Sequence, residues 1–193
     1  LVVSGTGCRG EAVLRAAAQV SNALSKTKPD SGLFLVMPEC NTFGLGLIGG
    51  TSLDAAFDAV QAGKADTVIV LENNLFRRSP SHAVQRLLDT AKHVIVIDHL
   101  LNACSERADI VLPAATFAEG QGTLVNVESR GQRFFRVFDP SGSIQESWKW
   151  IRDILQATRD TASVGWNTFD DLAAAMRRTM PVFDKITEVA PNA

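Results

Sequence analysis

The sequence predicts an α/β fold: a doubly wound, mostly parallel sheet of the Rossmann-like type, followed by a helical C-terminal extension. Two apolar runs, Val68–Leu71 and Val94–Ile97, carry no polar residue on either face, which is typical of strands in a parallel sheet with helices on both sides. Such runs alternate with helical patterns over the first 112 residues, which favours layered α/β architecture. We expect an α/β domain over residues 1–140 and a helical extension and tail over 141–193.

The first quarter of the sequence predicts two strands, a helix and a loop. Leu1–Val3 reads as a short buried strand, and Leu33–Met37 as a second strand that Pro38 ends. Asn41–Gly50 is expected to be a glycine-rich loop. Between the strands, Glu11–Ser25 is predicted to be an amphipathic helix. Its inner face is expected to hold five apolar residues: Val13, Leu14, Ala17, Val20 and Leu24.

The middle of the sequence repeats this pattern. Thr51 or Ser52 is expected to cap a helix in which apolar residues recur at helical spacing. Those residues are Leu53, Ala56, Phe57 and Val60. The elements that follow are a strand, a helix and two further strands: Thr67–Leu71, Pro80–Ala91, Val94–Ile97 and Ala108–Leu112. Their alternation predicts βαβ units with parallel strands.

The last third of the sequence has a different character. Thr123–Val127 and Phe134–Phe138 are predicted to be short extended segments around a turn at Gly131. Gln145–Thr158 and Thr168–Met180 are predicted to be helices, the second ended by Pro181. The final dozen residues read as an extended tail.

Composition and charge exclude several classes of protein. The net charge is −2 with both signs dispersed, so neither a nucleic-acid footprint nor a polybasic membrane patch is expected. No apolar run reaches the roughly 18 residues needed to span a bilayer, so direct membrane insertion is not expected. The chain starts at Leu1 inside an apolar run, so we expect it to be a piece of a longer protein.

The cysteines and histidines do not form a metal-binding pattern. Cys8, Cys40 and Cys104 are odd in number, widely separated and free of a C-x-x-C pair, which favours a reducing compartment over a disulfide framework. The three histidines, His82, His93 and His99, show no ligand spacing with them. We therefore expect no metal site in this sequence.

Two glycine motifs admit a functional and a structural interpretation. Gly5, Gly7 and Gly10 fit G-x-G-x-x-G between a strand and a helix, where a dinucleotide pyrophosphate would bind the helix N-terminus. The acidic residue that should follow the second strand is represented by Glu39, which Pro38 separates from that strand. A glycine-rich turn that only packs closely is the competing interpretation. The second motif, over Gly44–Gly49, lies several residues beyond its strand and predicts phosphate binding less strongly.

Several polar residues have a structural interpretation that we weigh more heavily than a functional one, and for Trp150 we weigh two alternatives equally. Glu72–Asn74 and the Asp98–His99 pair follow strand ends, where open α/β sheets contact ligands, but no nucleophile can be placed beside His99. The pairs Arg77–Arg78 and Arg177–Arg178 are typical of a solvated or ion-pairing surface. Trp150 lies off the main apolar stripe and indicates either a subunit contact or partial burial within the chain.

One long segment carries a family resemblance. Residues 108–130, ADIVLPAATFAEGQGTLVNVESR, resemble the A-D-x-V-L-P, E-x-x-G-T and N-x-E-G-R run of the molybdopterin oxidoreductase family, and the stretch from Asn41 to Gly49 resembles that family's middle region. Four shorter segments are similar to the family's branch of large iron–sulfur subunits of bacterial respiratory NADH:quinone oxidoreductases (complex I). They are residues 71–77 (LENNLFR), 132–135 (QRFF), 137–140 (VFDP) and 146–150 (ESWKW).

The resemblance implies a structural domain in an oxidoreductase of the respiratory chain. The parent complex would transfer electrons from NADH to quinone, coupled to ion translocation, and would act as the enzyme, whereas this segment alone would not be catalytic. Iron–sulfur clusters are implied for the missing N-terminal part of the parent chain, and no cofactor for this segment. The implied partners are other subunits of the hydrophilic arm, and the implied location is peripheral, on the cytoplasmic side of the bacterial inner membrane.

The resemblance also leaves alternatives open. In molybdenum enzymes of the family this region lies near the pterin cofactor, but Ser129 replaces the glycine of N-x-E-G-R, and no position matches the metal-ligating residue. We therefore assign no catalytic, cofactor-binding or metal-binding residue. The alternatives are a fragment of a molybdopterin-dependent oxidoreductase of the formate dehydrogenase type, or an independent dinucleotide-binding module that uses Gly5, Gly7 and Gly10.

Overall fold

A computed structural model of the chain describes residues 1–8, 10–158 and 165–189. Its contacts divide these residues into two units. The first unit contains Leu1–Gly49, Thr123–Arg133 and the described residues from Met176 onward. The second contains Gly50–Gly122 and the described residues of Phe134–Ala175.

The first unit is built around two parallel strands and a connecting helix. Strands β1 (Val2–Gly5) and β2 (Leu33–Val36) pair in parallel, and helix α1 (Glu11–Ser25) lies between them in the sequence. The predicted helix bounds are confirmed, but the predicted inner face is partly wrong. Leu14, Ala17 and Ser21 are the more buried side chains, whereas Val13, Val20 and Leu24 are exposed. The small side chains of Ala17 and Ser21 let the helix backbone lie close to the strands that it contacts.

The segment after β2 is a helix and not the predicted loop. Helix α2 (Thr42–Ile48) follows Asn41 and ends at Gly49, whose φ is 80°. Gly44 and Gly46 therefore lie inside a helix. The prediction failed because glycine usually marks a turn, whereas the buried Gly44 lies against Asn41 and Val125, where there is little room for a side chain.

The second unit is built around three parallel strands, and two of its helices flank the first of these strands in the sequence. Strands β3 (Thr67–Leu71), β4 (His93–Asp98) and β5 (Ile110–Pro113) are ordered β3-β4-β5, with Ile69 beside Ile95 and Ile95 beside Ile110. Helix α3 (Leu53–Gln61) begins after Ser52, whose hydroxyl accepts the N–H of Ala55 at 3.2 Å, as predicted for its cap. Helix α4 (Ser81–Thr90) connects β3 to β4.

The core of the second unit lies between this sheet and α4. Its buried residues are Val70, Val84, Leu88, Val94, Val96 and Cys104. Phe57 of α3 and Val68 of β3 pack against them. Alternate valines of β3 and β4 therefore form the face covered by helix. The predicted burial of both faces is wrong for β3, because Ile69 and Leu71 on its other face are 41% and 48% exposed.

The α/β class and the parallel pairing are confirmed, but one continuous doubly wound sheet is not seen. Within the described residues the strands form three small sheets: β1-β2, β3-β4-β5, and a pair made by β6 (Gly122–Val125) and β7 (Gly131–Phe134). The strand predicted at Phe134–Phe138 is wrong, because β7 ends at Phe134. The N–H groups of Val137 and Phe138 instead donate to the carbonyl of Ala118 at 2.8 and 3.3 Å.

The C-terminal part is helical, as predicted, with one correction. Helices α5 (Ser147–Thr158) and α6 (Phe169–Thr179) lie close to their predicted positions. The predicted extended tail is wrong where it is described, since Pro181–Phe183 and Ile186–Glu188 form short 3-10 turns. The tail prediction for residues 190–193 lies outside the described residues. Among the helices described, none is both long and apolar enough to cross a bilayer.

Candidate functional site

The carboxyl ends of the three parallel strands form the candidate site of the second unit. In open α/β sheets this edge is where ligands bind, because the loops that leave neighbouring strands meet there. Here the loops begin at Glu72 after β3, at His99 after β4 and at Ala114 after β5. The structure therefore brings two of the predicted groups, Glu72–Asn74 and Asp98–His99, to one edge of one sheet.

Glu72 has an unusual backbone and a structural partner. Its φ is 45°, in the left-handed region that a non-glycine residue adopts only at a cost. Its N–H donates to the carbonyl of Ile97 at 2.8 Å, which continues the β3–β4 pairing by one residue. Its carboxylate accepts a hydrogen bond from the hydroxyl of Ser147, the first residue of α5. Glu72 thus joins the end of β3 to α5.

Asp98 organises the loop that follows β4. Its buried carboxylate accepts the N–H of Leu100 at 3.1 Å through Oδ1 and the side-chain amide of Asn102 at 2.9 Å through Oδ2. The Nδ1 atom of His99 lies 3.4 Å from Oδ1. An Asp–His pair can orient a catalytic base, but here both carboxylate oxygens already hold the loop. The geometry therefore favours the structural interpretation of Asp98.

Asn102 extends this network, and the sequence analysis missed it. Its Oδ1 atom accepts the N–H of Cys104 at 2.8 Å, and its own N–H donates to the hydroxyl of Ser105 at 2.7 Å. The signal was present in the sequence, because Asp and Asn side chains commonly bond to backbone groups two residues further along the chain. The loop from Asp98 to Ser105 is consequently fixed by hydrogen bonds within itself.

Cys104 anchors this loop in the core. Its side chain is fully buried. The Sγ atom accepts the N–H of Leu75 at 3.3 Å and lies 3.9 Å from Asn74 Oδ1, an atom that accepts the N–H of Phe76 at 3.1 Å. A thiol in apolar surroundings packs as a small hydrophobic group. Cys104 is therefore a packing residue that ties the loop after β4 to the loop after β3.

The segment before and within α5 supplies a second polar cluster beside the same sheet. Glu146 is only 5% exposed, its Oε2 accepts the indole N–H of Trp148 at 2.6 Å, and Lys149 Nζ lies 3.5 Å from its Oε1. Trp150 donates its indole N–H to the carbonyl of Pro113 at 2.8 Å, so of the two predicted alternatives for Trp150 the structure favours partial burial. The hydrogen bond of Trp150 attaches α5 to the end of β5.

One carboxyl group of α5 has a perturbed pKa. Partial burial by itself would raise the pKa of Asp153. Hydrogen bonds from Gln145 and Arg152 and the positive charges of Arg152 and Lys149 outweigh burial, so the pKa lies below its ordinary value. A carboxylate held ionised in this way is not suited to serve as a general acid near neutral pH.

The first glycine motif lies in the other unit, and its first glycine has a packing role. Gly5 is the last residue of β1, and a Cβ placed there would lie 2.8 Å from the carbonyl oxygen of Val36 in β2. Gly10 precedes α1 with extended backbone angles, while Arg9 is outside the described residues. Glu39 lies in the turn after β2, where its carbonyl accepts the N–H of Thr42. The close approach of β1 and β2 thus explains the glycine at position 5, and no bound phosphate is needed to explain it.

The first glycine of the second motif, Gly44, likewise has a packing role. The Oδ1 atom of Asn41 accepts the N–H of Val125 at 2.8 Å, and a Cβ at Gly44 would overlap that same oxygen and lie 3.2 Å from Val125 Cβ. The space for a side chain at position 44 is thus limited by β6. The motif lies within and at the end of α2, so it does not form a phosphate-binding loop.

The turn between β6 and β7 contains Asn126, Ser129 and Arg130. Asn126 Oδ1 accepts the N–H groups of Glu128 and Arg130 at 3.0 and 2.9 Å, and the Asn126 N–H donates to the carbonyl of Arg130. Ser129 has a φ of 63°, which suits glycine better than serine. A tight turn therefore explains why the N-x-E-G-R pattern begins with asparagine and usually has glycine at its fourth position.

The remaining predicted residues are not brought together. His82 lies on α4 and His93 begins β4, at the amino end of the sheet. Arg78 donates to Asn73 at 3.0 Å, and Arg177 reaches the hydroxyl of Thr187 at 3.5 Å. Across residues 1–8, 10–158 and 165–189, no three His, Cys, Asp or Glu side chains are grouped so as to hold a metal ion.

Comparisons with known proteins agree with the resemblance in residues 108–130. The family described as molybdopterin oxidoreductase matches residues 6–157. The whole chain is 46% identical over 198 residues to the G subunit of the NADH-quinone oxidoreductase of Pseudomonas putida, 40% identical to that of Salmonella typhimurium, and 38% identical to that of Escherichia coli K12. In each case the match covers 100% of this chain and 22% of the relative, so the chain spans about a fifth of the length of these relatives.

Proposed function

The chain belongs to the molybdopterin oxidoreductase family, and we propose that it is a structural domain of the large iron–sulfur subunit (the G subunit) of a bacterial NADH:quinone oxidoreductase. The parent complex would transfer electrons from NADH to quinone, coupled to ion translocation. The observation that carries the proposal is the match over all residues of the chain to proteins named as this component of the complex.

A structural role is supported by how the candidate site uses its polar groups. The carboxylates of Glu72 and Asp98 bond to Ser147, Leu100 and Asn102, so both stabilise loops and a helix junction. Asn102 uses its side-chain oxygen to accept a backbone N–H of the same loop. In a site that binds substrate, such groups would bond to the substrate and not to the protein itself. A buried polar group that exchanged a protein partner for none would be costly. We infer that this edge maintains the fold of the domain.

The residues that the family places near its pterin do not fit that cofactor here. The amide oxygen of Asn126 accepts two backbone N–H groups of its own turn, and the turn places Ser129 where the family pattern has glycine. A pterin would require hydrogen-bonding groups directed away from the turn. We therefore propose no molybdopterin in this segment and derive no step through it.

Electron transfer is proposed for the rest of the parent chain. Iron–sulfur clusters would be held by residues outside these 193, and the partners would be the other subunits of the hydrophilic arm. We also propose a peripheral location on the cytoplasmic side of the inner membrane. Within the parent, the parallel strands would belong to a doubly wound sheet, with residues 1–140 as the α/β domain and 141–193 as its helical extension.

The test distinguishes a role in assembly of the complex from a role in its NADH:quinone turnover. Gly44→Ala and His99→Ala would each be introduced into the full-length subunit, and the complex would be purified through a tag on that subunit. We expect Gly44→Ala to reduce the amount of assembled complex, while NADH:quinone turnover per assembled complex stays unchanged for both variants. A large loss of turnover per complex for His99→Ala would instead show that the edge takes part in the chemistry.

Three further measurements separate the alternatives. Failure of NADH:quinone reductase activity to co-purify with the tagged chain would contradict the proposed complex. Molybdenum at one atom per tagged chain would favour the molybdopterin-dependent alternative. Saturable NADH binding that Gly7→Ala abolishes would favour the dinucleotide module, since no atom lies within 4 Å of a Cβ at Gly7 and the variant should fold.

A further inference from the structure

We infer that the loop following β4 is a docking element for another segment of the same parent polypeptide, through the exposed side chains of Leu100 and Leu101. Leu100 is 64% exposed and Leu101 is 85% exposed. We call residues 98–105 the leucine loop. The inference rests on the proposal that the chain is part of a longer subunit.

The leucine loop is stabilised by hydrogen bonds within itself and by a buried anchor. Asp98 accepts from Leu100 N and from Asn102 Nδ2, and Asn102 Nδ2 also lies 3.3 Å from the Leu100 carbonyl oxygen. At its other end the loop is anchored by the fully buried Cys104 and by the hydroxyl of Ser105, which donates to the carbonyl of Asn102 at 2.7 Å. The leucines are therefore displayed on a fixed support, and burying them costs little further ordering of the backbone.

Three polar side chains of the loop, Asp98, Asn102 and Ser105, bond within it, whereas the two leucines at its tip are exposed. Loops ordinarily reverse this arrangement, because their tips face water. A ligand that binds at a strand end needs hydrogen-bonding groups, and here Asp98, Asn102 and Ser105 bond within the loop. The edge of the sheet is thus suited to contact an apolar protein surface.

The parent polypeptide is the favoured occupant for two reasons. The relatives are more than four times as long as the matched region, so most of the parent chain lies outside it. The tip of the loop, Leu100–Ala103, also contains no charged residue. Surfaces that meet a separate partner usually have charged rims that guide the encounter, whereas permanent contacts within a fold are more apolar.

The test measures access to position 101 in the full-length subunit. Leu101→Cys and the control Gln85→Cys, at an exposed polar position of α4, would be labelled with a maleimide in the isolated full-length subunit and in the intact complex. Peptide mass spectrometry would score each site separately from the native cysteines. We expect Leu101→Cys to be labelled at least tenfold more slowly than Gln85→Cys in the isolated subunit, and both to react equally after denaturation.

Two outcomes would overturn the inference. Labelling of Leu101→Cys at the control rate in both preparations would show that the loop is not covered. Protection only in the intact complex would assign the contact to a partner subunit and not to the parent chain. The comparison within the isolated subunit does not need an active complex, so its result is independent of whether the proposed respiratory function is correct.

Discussion

Asn41 and Val125 are 84 positions apart in the sequence, and the side-chain oxygen of Asn41 accepts the backbone N–H of Val125 at 2.8 Å. This bond joins the start of α2 to β6. It also defines the space beside Gly44, because the same asparagine oxygen lies where a side chain at position 44 would begin.

Gly44→Ala should therefore destabilise the chain. The added methyl group must displace Asn41 and press on Val125, and overpacking of this kind costs about 1–3 kcal/mol. Denaturant unfolding of the 193-residue chain would measure the loss. Gly46→Ala is the matched control, since no atom lies within 4 Å of a Cβ at that position of the same helix. There alanine should stabilise the chain by about 0.5–1 kcal/mol, and equal effects at both positions would contradict this account.

Ser129→Gly should stabilise the chain. With a φ of 63°, the serine has a backbone cost that glycine avoids, and the expected gain is about 0.5–1 kcal/mol after the greater flexibility of glycine in the unfolded chain is included. The free energy of unfolding would be compared with that of Glu128→Gly in the same turn, where φ is not positive. Glu128→Gly should lower stability, and a loss for Ser129→Gly would show that the turn does not strain its serine.

Cys104→Ser should lower stability by about 1–3 kcal/mol, because a hydroxyl replaces a buried thiol that packs in the core and accepts the N–H of Leu75. Cys40→Ser is the control, since Cys40 is exposed and its replacement should change stability by less than about 0.5 kcal/mol. Thermal unfolding of both variants provides the measurement. An unchanged midpoint for Cys104→Ser would argue against its anchoring role.

Glu119 should stabilise the chain in a pH-dependent way. The N–H and the hydroxyl of Thr116 donate to its carboxylate at 2.9 and 2.8 Å, and these bonds hold the pKa of Glu119 below its ordinary value of 4.5. Since the pKa is lower in the folded chain, the stabilisation is complete above 4.5 and is lost as the pH falls through the folded value. Glu119→Gln should therefore be less stable than the unmodified chain at neutral pH, with the difference shrinking below 4.5.

This pH dependence would be measured by denaturant unfolding over roughly pH 3 to 7. In a Thr116→Val background the carboxylate loses the hydroxyl donor, so the Glu119→Gln difference should be smaller and should depend less on pH. A difference that keeps its size in that background would assign the effect to some other partner of Glu119.

Much of the second unit could be predicted from the sequence. The apolar runs at 67–71 and 94–97 are strands, and they pair in parallel. The helix predicted to follow a cap at Thr51 or Ser52 begins at Leu53, and the helix predicted at Pro80–Ala91 spans Ser81–Thr90. These elements were predictable because strand and helix periodicities are local properties of the chain. The family resemblance was equally local, since it rested on contiguous motifs that the comparisons then matched.

The candidate site could be predicted only in part. The positions of Glu72 and Asp98 at strand ends follow from the strands themselves, but their partners do not. Ser147 is 75 positions from Glu72, and no local pattern connects them. The assignment of no catalytic, cofactor or metal residue remains a prediction, as does the domain boundary at residue 140.

The amino-acid sequence by itself determined the α/β class, the parallel strands, most element bounds and the family, because all of these depend on the order of neighbouring residues. Only the tertiary structure decided that Thr42–Ile48 is a helix, that α1 buries Ser21 and leaves Val20 exposed, and that the Asp98 carboxylate bonds to its own loop. The physical reason is that these outcomes depend on what lies opposite each residue in space. The space beside Gly44 is limited by a strand whose residues come some 80 positions later, and propensity alone contains no information about that contact.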